Sequence, residues 1–378
     1  MKILIFAPYY LPHIDGLGIL INDFCGKLSS DSFEITVFTP HLPESSPEIE
    51  KPYKNVKVIR FPAFYIVSNY PIPKIWKVSF WKKISFIFKL KNDVVISYMR
   101  FFVVTFFALI YSKTKKTKWI HIEHGSSFVT LSSKFKMCVA KLCDYTLGKI
   151  VLRLSDVNIS VSSAVRDFIR KFDSRYSPII FNSINVEEIE KTDPDFKIKE
   201  ENEGKVIISF VGRLYRWKGV ENSIKIIKSL PEEIKNKIIF LIVGDGEDYD
   251  RLSKLISEKD PIKLLGELPH EKALGILKVS DIYLHSAMPG GGLSGSLLEA
   301  MCLKCAVVAT PNEGAKDVIV NNKNGFLADN TREFRKEIIN LFLDADKRIF
   351  FGENASNTVK NKFNLDFIIK QYEDIFNI

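Results

Sequence analysis

Short apolar runs rich in β-branched residues recur in both halves of the chain, and stretches of helix-like periodicity fill the intervals between them. Such runs are typical of parallel strands that are covered on both faces. In the first half, the predicted strands are 2–6, 34–38, 93–97 and 118–122, with the sheet completed by 151–162 and 178–181. In the second half, the predicted strands are 206–211, 238–243, 262–265, 281–285 and 306–309.

A polar segment separates the two series of strands. Residues 190–205 are almost wholly polar and charged, and the alternation of strands and helices restarts directly after them. We therefore predict an α/β chain of two Rossmann-like, doubly wound parallel-sheet domains that face a central cleft. The predicted domains are 1–195 and 196–361, with a helix at about 362–378 that packs back on the first. Ligands of such sheets bind beyond the carboxyl ends of the strands.

Composition and charge narrow the class of protein. The chain has 378 residues, of which 46% are hydrophobic and 26% charged, values that exclude disordered and low-complexity proteins. The net charge is +9, and residues 71–120 contain eleven Lys or Arg and one acid, Asp93. A basic field confined to one stretch indicates a surface that meets an anionic partner.

Within this stretch, residues 74–91 interleave lysines with Trp, Phe and Ile. Such a segment suits the surface of an anionic membrane leaflet, with the aromatic rings at the interface and the lysines at the headgroups. The alternative is an ordinary amphipathic helix that covers the sheet. A nucleic-acid binder is a further alternative, although it would leave the loops described below unexplained.

The cysteines and the lengths of the apolar segments bear on the predicted cellular location of the protein. Cys25, Cys138 and Cys143 are predicted to be buried thiols, and the CxxC of Cys302 and Cys305 lacks the second pair that a zinc site needs. A reducing, cytoplasmic location fits this usage. The first apolar run is too short for a signal peptide, and the window 101–111 is about half of a membrane span. We expect no transmembrane segment.

Three loops that join a strand to a helix carry the candidate chemistry. The first, 7–18, contains Gly16; the second, 211–219, places Arg213 and Lys218 between glycines, with Arg216 as a nearby alternative. A guanidinium and an ammonium in such a loop suit a diphosphate, although each loop could also be an ordinary turn. The third loop, 286–296, is rich in glycine and serine and leads into a helix that carries Glu299. Its backbone N–H groups could wrap a pyrophosphate or a sugar.

Segments spread over nearly the whole chain resemble the retaining glycosyltransferases of family 4, which have the GT-B architecture. The family pattern F-V-G-R-L-x-x-x-K-G is similar to FVGRLYRWKG at 210–219, and I-V-G-D-G-P-x-x-x-x-L is similar to IVGDGEDYDRL at 242–252. The pattern L-L-E-A-M-x-x-G-x-P-V-V-A-T resembles LLEAMCLKCAVVAT at 297–310, and D-G-x-N-G-x-L resembles NNKNGFL at 321–327. LPHIDG at 11–16 and IEHG at 122–125 resemble the two N-terminal motifs.

The resemblance implies a role for each matching residue in binding a nucleotide-sugar donor. Arg213 and Lys218 would grip the diphosphate, Glu299 would accept the ribose hydroxyls, and Gly16 would close over the phosphates. His124 would lie beside the transferred sugar, with His121 as the competing candidate. Loops near Gly244 and Leu265 would contact the base through their backbone.

Two positions depart from the family pattern. Gly291 stands where the family has the first acid of its pair, so the side chain that contacts the transferred sugar is missing. Backbone N–H groups of the segment could still touch sugar and phosphate; the positions concerned are Gly291, Gly292, Leu293 and Ser294. Asp15 replaces the first glycine of the N-terminal pair.

The implied reaction is retaining transfer of a hexose-type sugar from a UDP- or GDP-linked donor to a glycan acceptor, in glycan, glycolipid or polysaccharide synthesis. No metal is expected, because the cationic side chains would stabilise the departing phosphate. The basic segment 74–91 leads to the hypothesis of a lipid-linked acceptor at the cytoplasmic membrane face. The alternatives are a nucleotide-sugar 2-epimerase-like enzyme of the same architecture and an inactive subunit that binds sugar nucleotides.

Overall fold

The computed structural model describes residues 1–13, 16–29, 32–66, 70–128, 134–288 and 292–377. The side chains of residues 134 and 136 are outside the description. The chain forms two compact units: Met1–Asn182 with Ile368–Ile378, and Ser183–Phe367. The boundary between the units lies earlier than the 195/196 junction that the polar segment suggested.

The first unit alternates strands and helices, as the apolar pattern predicted. Its strands are β1 (Lys2–Phe6), β2 (Glu34–Pro40), β3 (Ile49–Tyr53), β4 (Val56–Phe61), β5 (Ala63–Tyr65), β6 (Pro71–Pro73), β7 (Val94–Tyr98), β8 (Lys118–Glu123) and β9 (Val157–Ser160). Its helices are α1 (Gly16–Leu28), α2 (Val78–Lys89), α3 (Val103–Lys115), α4 (Lys134–Cys143), α5 (Lys149–Leu154) and α6 (Ser163–Ile169), with a π-helix at Asp144–Gly148.

The sheet of the first unit has the order β3-β4-β2-β1-β7-β8-β9 and is parallel except for β3. Two sequence predictions for it are wrong. The segment predicted as a strand at 151–162 begins as a helix, and its strand is only β9. Residues 178–181 form no strand; Ile179 makes a single bridge to Ser160. The sequence analysis also missed β4, which pairs along its whole length with β2.

The second unit repeats the arrangement with a wholly parallel sheet in the order β12-β11-β10-β13-β14-β15. Its strands are β10 (Val206–Val211), β11 (Ile238–Val243), β12 (Ile262–Gly266), β13 (Ile282–His285), β14 (Ala306–Ala309) and β15 (Phe326–Leu327). Its first helices are α7 (Val186–Lys191), α8 (Phe196–Glu201), α9 (Val220–Lys228), α10 (Glu232–Lys235), α11 (Tyr249–Ser253) and α12 (His270–Lys278), with a 3-10 turn at Arg216–Lys218. The remaining helices are α13 (Gly295–Cys302), α14 (Glu313–Val318), α15 (Thr331–Leu343), α16 (Ala345–Lys362) and α17 (Leu365–Asn377).

Both faces of the second sheet are buried, which explains why its strands are largely apolar. On β10, Ile208 and Phe210 belong to the core on one face of the sheet. Ile207, on the same strand, packs with Leu241 in the core on the other face. Side chains alternate between the two faces of a strand, so a strand that is covered on both faces is expected to be apolar at most of its positions. The prediction of two Rossmann-like, doubly wound parallel-sheet domains is confirmed.

Two glycines allow the loops at the carboxyl edge of this sheet to approach each other closely. Gly219 has φ +68° and faces the carbonyl of Ser286, where an added methyl group would lie 2.0 Å from the oxygen. Gly244 has φ +135°, and its added methyl would lie 2.0 Å from the carbonyl oxygen of Gly212. No side chain fits at either position, so at these two points the loops that follow β10, β11 and β13 pack backbone against backbone.

We predict that Gly219→Ala destabilises the protein by at least about 2 kcal/mol more than Gly204→Ala, because only the first adds a steric clash to backbone strain. Gly204 has a similar φ of +76°, but its added methyl would meet no atom within 4 Å. Urea unfolding of the two variants measures the difference. Equal losses would show that Gly219 and Ser286 are not in close contact.

Candidate functional site

The loop after β10 holds Arg213 and Lys218 beside the end of β13. The carbonyl of Lys218 accepts a hydrogen bond from Ser286 Oγ at 3.2 Å, and the carbonyl of Trp217 accepts one from the N–H of Met288 at 2.7 Å. The Lys218 ammonium lies 4.6 Å from the centre of the Trp217 ring. The 3-10 turn is therefore fixed against the loop after β13, and within the turn the Lys218 ammonium lies against the ring of Trp217.

The electrostatics of this loop favour an anionic ligand. Burial, together with the charge of Arg213, lowers the pKa of Lys218 to about 8. Burial and the charge of Lys218 lower the pKa of His285 to about 3, so this histidine is neutral at pH 7. Two cations held close together repel each other, and a bound diphosphate would relieve that repulsion.

The loops after β11 and β12 adjoin the Arg213 loop. Gly212 donates its N–H to the carbonyl of Val243 at 3.0 Å, and Gly244 donates to the carbonyl of Gly266 at 2.8 Å. Leu265, near the end of β12, is partly buried and packs in the core on one face of the sheet. Gly244 and Leu265 thus lie at the carboxyl edge with Arg213, where the sequence placed them.

The start of α13 completes this edge. The N-cap residue Ser294 makes no side-chain capping bond, and its hydroxyl lies 3.1 Å from that of Ser296. Tyr283 links the two loops, because its hydroxyl contacts the carbonyl of Val211 at 3.3 Å and Ser296 Oγ at 3.0 Å. The backbone of Gly292 and Leu293 packs against α14. The prediction about Gly291 falls outside the described residues.

Glu299, on α13, has a partner that the sequence analysis missed. Its Oε1 lies 2.9 Å from Nε2 of His270, the exposed first residue of α12. Because α12 begins after the loop that follows β12, the contact places the Glu299 carboxylate near the residues that follow that strand. A histidine directly after Pro269 at a helix start was a weak signal, since nothing in the sequence links it to a residue on another helix.

In the first unit, His124 stands directly after β8. Burial lowers its pKa to about 4, so the imidazole is neutral at pH 7. Its Nε2 atom is buried and has no hydrogen-bond partner among the residues that the structure describes. A buried polar atom without a partner is costly, and a ligand hydroxyl would satisfy it. His121, the competing candidate, is instead occupied by Ser97 Oγ at 2.9 Å.

A buried carboxylate between the two histidines was not predicted. Glu123 accepts hydrogen bonds from the N–H groups of Arg100 at 3.0 Å, His124 at 3.1 Å and Gly125 at 2.8 Å. Burial alone would raise the pKa of Glu123, but Arg100, His121 and Gly125 hold it well below its usual range. Arg100 also pairs with Asp144 through Nε at 2.9 Å and Nη2 at 3.1 Å. This network fixes the backbone that carries His124.

The N-terminal glycine loop is fixed by a second buried guanidinium. Arg60, on β4, donates to the carbonyl of Leu11 and pairs with Glu50. Gly16 begins α1 and is exposed, and an added methyl group there would meet no atom within 4 Å. The backbone at Gly16 is therefore open to a ligand, whereas Asp15, the altered glycine, lies outside the described residues.

Comparison with known proteins identifies the class of protein that this fold and these loops define. Residues 191–358 match the family model described as Glycosyl transferases group 1, and residues 14–188 match the one described as Glycosyltransferase Family 4. The chain is 43% identical over 385 residues to an uncharacterized glycosyltransferase of Methanocaldococcus jannaschii, covering 100% of this chain and 98% of the relative. The protein belongs to glycosyltransferase family 4, and the resemblance is confirmed.

Solved structures share the GT-B fold at low sequence identity. Sucrose-phosphate synthase of Thermosynechococcus elongatus superposes with a TM-score of 0.80 at 16% identity, covering 100% of this chain and 98% of the other. Anabaena HepE in complex with UDP-glucose gives a TM-score of 0.75 at 17% identity, covering 100% of this chain and 99% of the other.

We predict that Glu123→Gln lowers the free energy of unfolding at pH 7 by about 3 kcal/mol, because the substitution removes one of the two buried carboxylates that balance the charge of Arg100. The folded-state pKa of Glu123 lies below the unfolded value. Its stabilisation is therefore present above the unfolded pKa of about 4.3 and is lost as the pH falls towards the folded pKa. The difference between wild type and variant should shrink between pH 6 and pH 3.5.

The matched control is Glu353→Gln, which removes an exposed carboxylate 3.9 Å from Lys304. It should change stability by less than about 0.5 kcal/mol at any pH. Urea unfolding over the pH series measures both variants. A pH-independent loss in Glu123→Gln would contradict an ionised, paired carboxylate.

Proposed function

We propose that the protein transfers a hexose-type sugar from a nucleotide-diphosphate sugar to a glycan or lipid-linked acceptor, with retention of anomeric configuration and without a metal ion. The observation that carries the proposal is the pair Arg213 and Lys218, held by interlocked glycine loops at the carboxyl edge of the second sheet. UDP is the nucleotide we favour for a first test, since Anabaena HepE, which shares the fold, was solved with UDP-glucose.

The pair would act on the leaving group. Breaking the bond between the anomeric carbon and oxygen pushes negative charge onto the β-phosphate, and catalysis needs positive groups fixed where that charge develops. Arg213 offers a planar fork of N–H donors, and Lys218 offers a compact charge. In this proposal, the acceptor attacks from the face that the phosphate leaves, and the phosphate takes the acceptor's proton. A trapped glycosyl-enzyme adduct would contradict this route.

The other site residues would bind the rest of the donor. Glu299 would accept bonds from the ribose hydroxyls, and the open backbone at Gly16 and Gly292 would approach the phosphates. His124 would lie beside the transferred sugar, where its neutral ring can exchange hydrogen bonds with a hydroxyl through Nε2. Gly244 and Leu265 would contact the base through backbone groups.

The acceptor side of the proposal rests on α2 and the segment that leads into it. Trp76, Val78, Trp81 and Phe86 are exposed there beside Lys77, Lys82 and Lys89. Phe80 and Ile87 on the same helix are buried, so α2 also covers the sheet, as the alternative reading of the sequence expected. We propose that its outer face contacts an anionic membrane where a lipid-linked acceptor would reside.

We predict that Arg213→Ala and Lys218→Ala each weaken UDP binding at least ten-fold, because each loses a charge-assisted contact to the diphosphate. Both proteins should remain folded, since neither residue belongs to a core cluster. Calorimetric titration with UDP measures the affinity. The control is Arg216→Ala in the same loop, which should bind UDP as wild type does. Wild-type affinity in both Arg213→Ala and Lys218→Ala would refute the assignment.

The pH dependence of UDP affinity provides a second test of the role of Lys218. The pKa of Lys218 is about 8 in the free protein, so its charge is present below pH 8 and is lost above it. UDP affinity should therefore fall several-fold between pH 7 and pH 9.5. In Lys218→Arg, the guanidinium stays charged over this range, and the affinity should be flat. An equal fall in both proteins would assign the pH effect to another group.

We predict that Lys77→Gln/Lys82→Gln/Lys89→Gln weakens binding to phosphatidylglycerol vesicles at low salt by at least about ten-fold, since each lysine near such a surface contributes about 1 kcal/mol. The control is Lys74→Gln/Lys83→Gln. These two lysines already pair with Glu44 at 2.6 Å and Glu48 at 2.8 Å. Vesicle sedimentation measures both variants, and no binding by wild type would remove the α2 contact.

A further inference from the structure

A second apolar surface lies on α4, the π-helix and α5, and we call it the α4–α5 surface. Its exposed large apolar side chains are Phe135, Val139, Leu142, Tyr145, Leu147, Ile150 and Leu154. Phe135 is 78% exposed and Leu142 is 63% exposed. Among the described side chains of α4, none is buried. An exposed apolar patch of this extent indicates a surface that another body covers.

The fold itself turns these residues outward. The inward positions of the π-helix are Asp144 and Gly148, both buried. Asp144 makes a two-point ion pair with Arg100, and Gly148 packs against the aliphatic part of the same side chain. A polar anchor therefore occupies the side that an amphipathic helix would normally fill with apolar residues. Leu142, Tyr145 and Leu147 are left on the outside.

The charge around the surface is positive. Residues 134–154 contain five Lys or Arg and one acid, Asp144. The charge of Asp144 is neutralised by its buried ion pair with Arg100. Lys141 and Arg153 are exposed among the apolar side chains. Two copies of this face brought together would place like charges against each other, whereas an anionic surface would complement it. The combination of exposed apolar and basic residues suits the interface of an anionic bilayer.

The α4–α5 surface adjoins the segment that leads into α2. Tyr70, which precedes β6, donates its hydroxyl to the carbonyl of Phe101. The Phe101 ring stacks on Tyr70 at 6.5 Å and lies 5.7 Å from the guanidinium of Arg100, which pairs with Asp144 of the π-helix. The segment that leads into α2 follows β4 through β5 and β6, and α4 follows β8. The carboxyl ends of β4 and β8 share one edge of the parallel sheet.

We infer that the α4–α5 surface docks on the surface of an anionic lipid bilayer, with its apolar side chains at the acyl boundary and Lys141 and Arg153 at the headgroups. This contact involves residues outside α2 and does not require that the protein bind a nucleotide sugar. In the region that the structure describes, no helix is both long and apolar enough to span a bilayer. Docking of exposed apolar and basic side chains at a bilayer interface is reversible and sensitive to salt.

The test is sedimentation of the full chain with phosphatidylglycerol vesicles, using Phe135→Ser/Leu142→Ser/Leu147→Ser. We expect wild type to bind and this variant to bind at least ten-fold more weakly. The matched control is Leu343→Ser/Ile349→Ser/Phe350→Ser, which removes three similarly exposed apolar side chains from the second unit. It should bind as wild type does. The substituted side chains are exposed in both variants, and thermal unfolding checks that each variant is folded.

Three outcomes would overturn the inference. The first is equal vesicle binding by wild type and the α4–α5 variant. The second is binding that disappears only in Lys77→Gln/Lys82→Gln/Lys89→Gln, which would leave the α2 contact standing alone. The third is a wild-type dimer, seen by sedimentation equilibrium, that the α4–α5 variant abolishes, since the occupant would then be a second copy. UDP titration of the same variants is expected to be unchanged, which separates this contact from the donor site.

Two thiols on α4 allow an independent test of docking that leaves the apolar side chains unchanged. Cys138 and Cys143 are exposed on α4, whereas Cys25, Cys302 and Cys305 are buried, so the prediction that the first two are buried is wrong. In Cys143→Ser, an environment-sensitive fluorophore on Cys138 should shift to the blue when phosphatidylglycerol vesicles are added. Phosphatidylcholine vesicles should give a smaller shift. An unchanged spectrum with phosphatidylglycerol would contradict docking through this face.

Discussion

The close approach of the Gly219 backbone to the carbonyl of Ser286 is the constraint on which the charged loop depends. It holds the 3-10 turn against the segment that follows β13, and the turn in turn holds Lys218 in a partly buried position near Arg213. Burial, with a contribution from the charge of Arg213, lowers the pKa of Lys218 in this position. Part of the free energy of folding is thus spent on an arrangement that an anion would stabilise, a common property of functional sites.

The architecture was predictable because its determinants are local. Strands covered on both faces need apolar residues at every position, and this makes them visible in one sequence. β4 was missed because Lys57 and Arg60 interrupt its apolar run. Arg60 is nevertheless fully buried, and its partners are Glu50 on β3, the carbonyl of Pro47 just before β3, and the carbonyl of Leu11 in the loop after β1. A charged residue in a strand is read as exposed unless those partners are known.

The same distinction divides the candidate site. Arg213, Lys218 and Glu299 were found because their own loops and helix carry recognisable patterns. Glu123 was not, since its role depends on Arg100, which lies on another loop. The prediction that the thiols of α4 are buried was wrong for the opposite reason. Their apolar neighbours suggested burial, but the buried positions next to them belong to Asp144 and Gly148 of the π-helix. Whether each of these residues is buried depends on contacts between distant parts of the fold and not on the residue type alone.

Helix α17 makes the first unit discontinuous in sequence. Its last part, from Ile368, belongs to the first unit, where the rings of Tyr372 and Phe24 meet edge to face at 5.0 Å and Phe376 meets Phe33. The polypeptide therefore passes from one unit to the other twice. A fragment that stops at Asn182 would leave Phe24 and Phe33 without these partners, so the first unit made separately would need residues 368–378 supplied as a peptide or grafted by a linker.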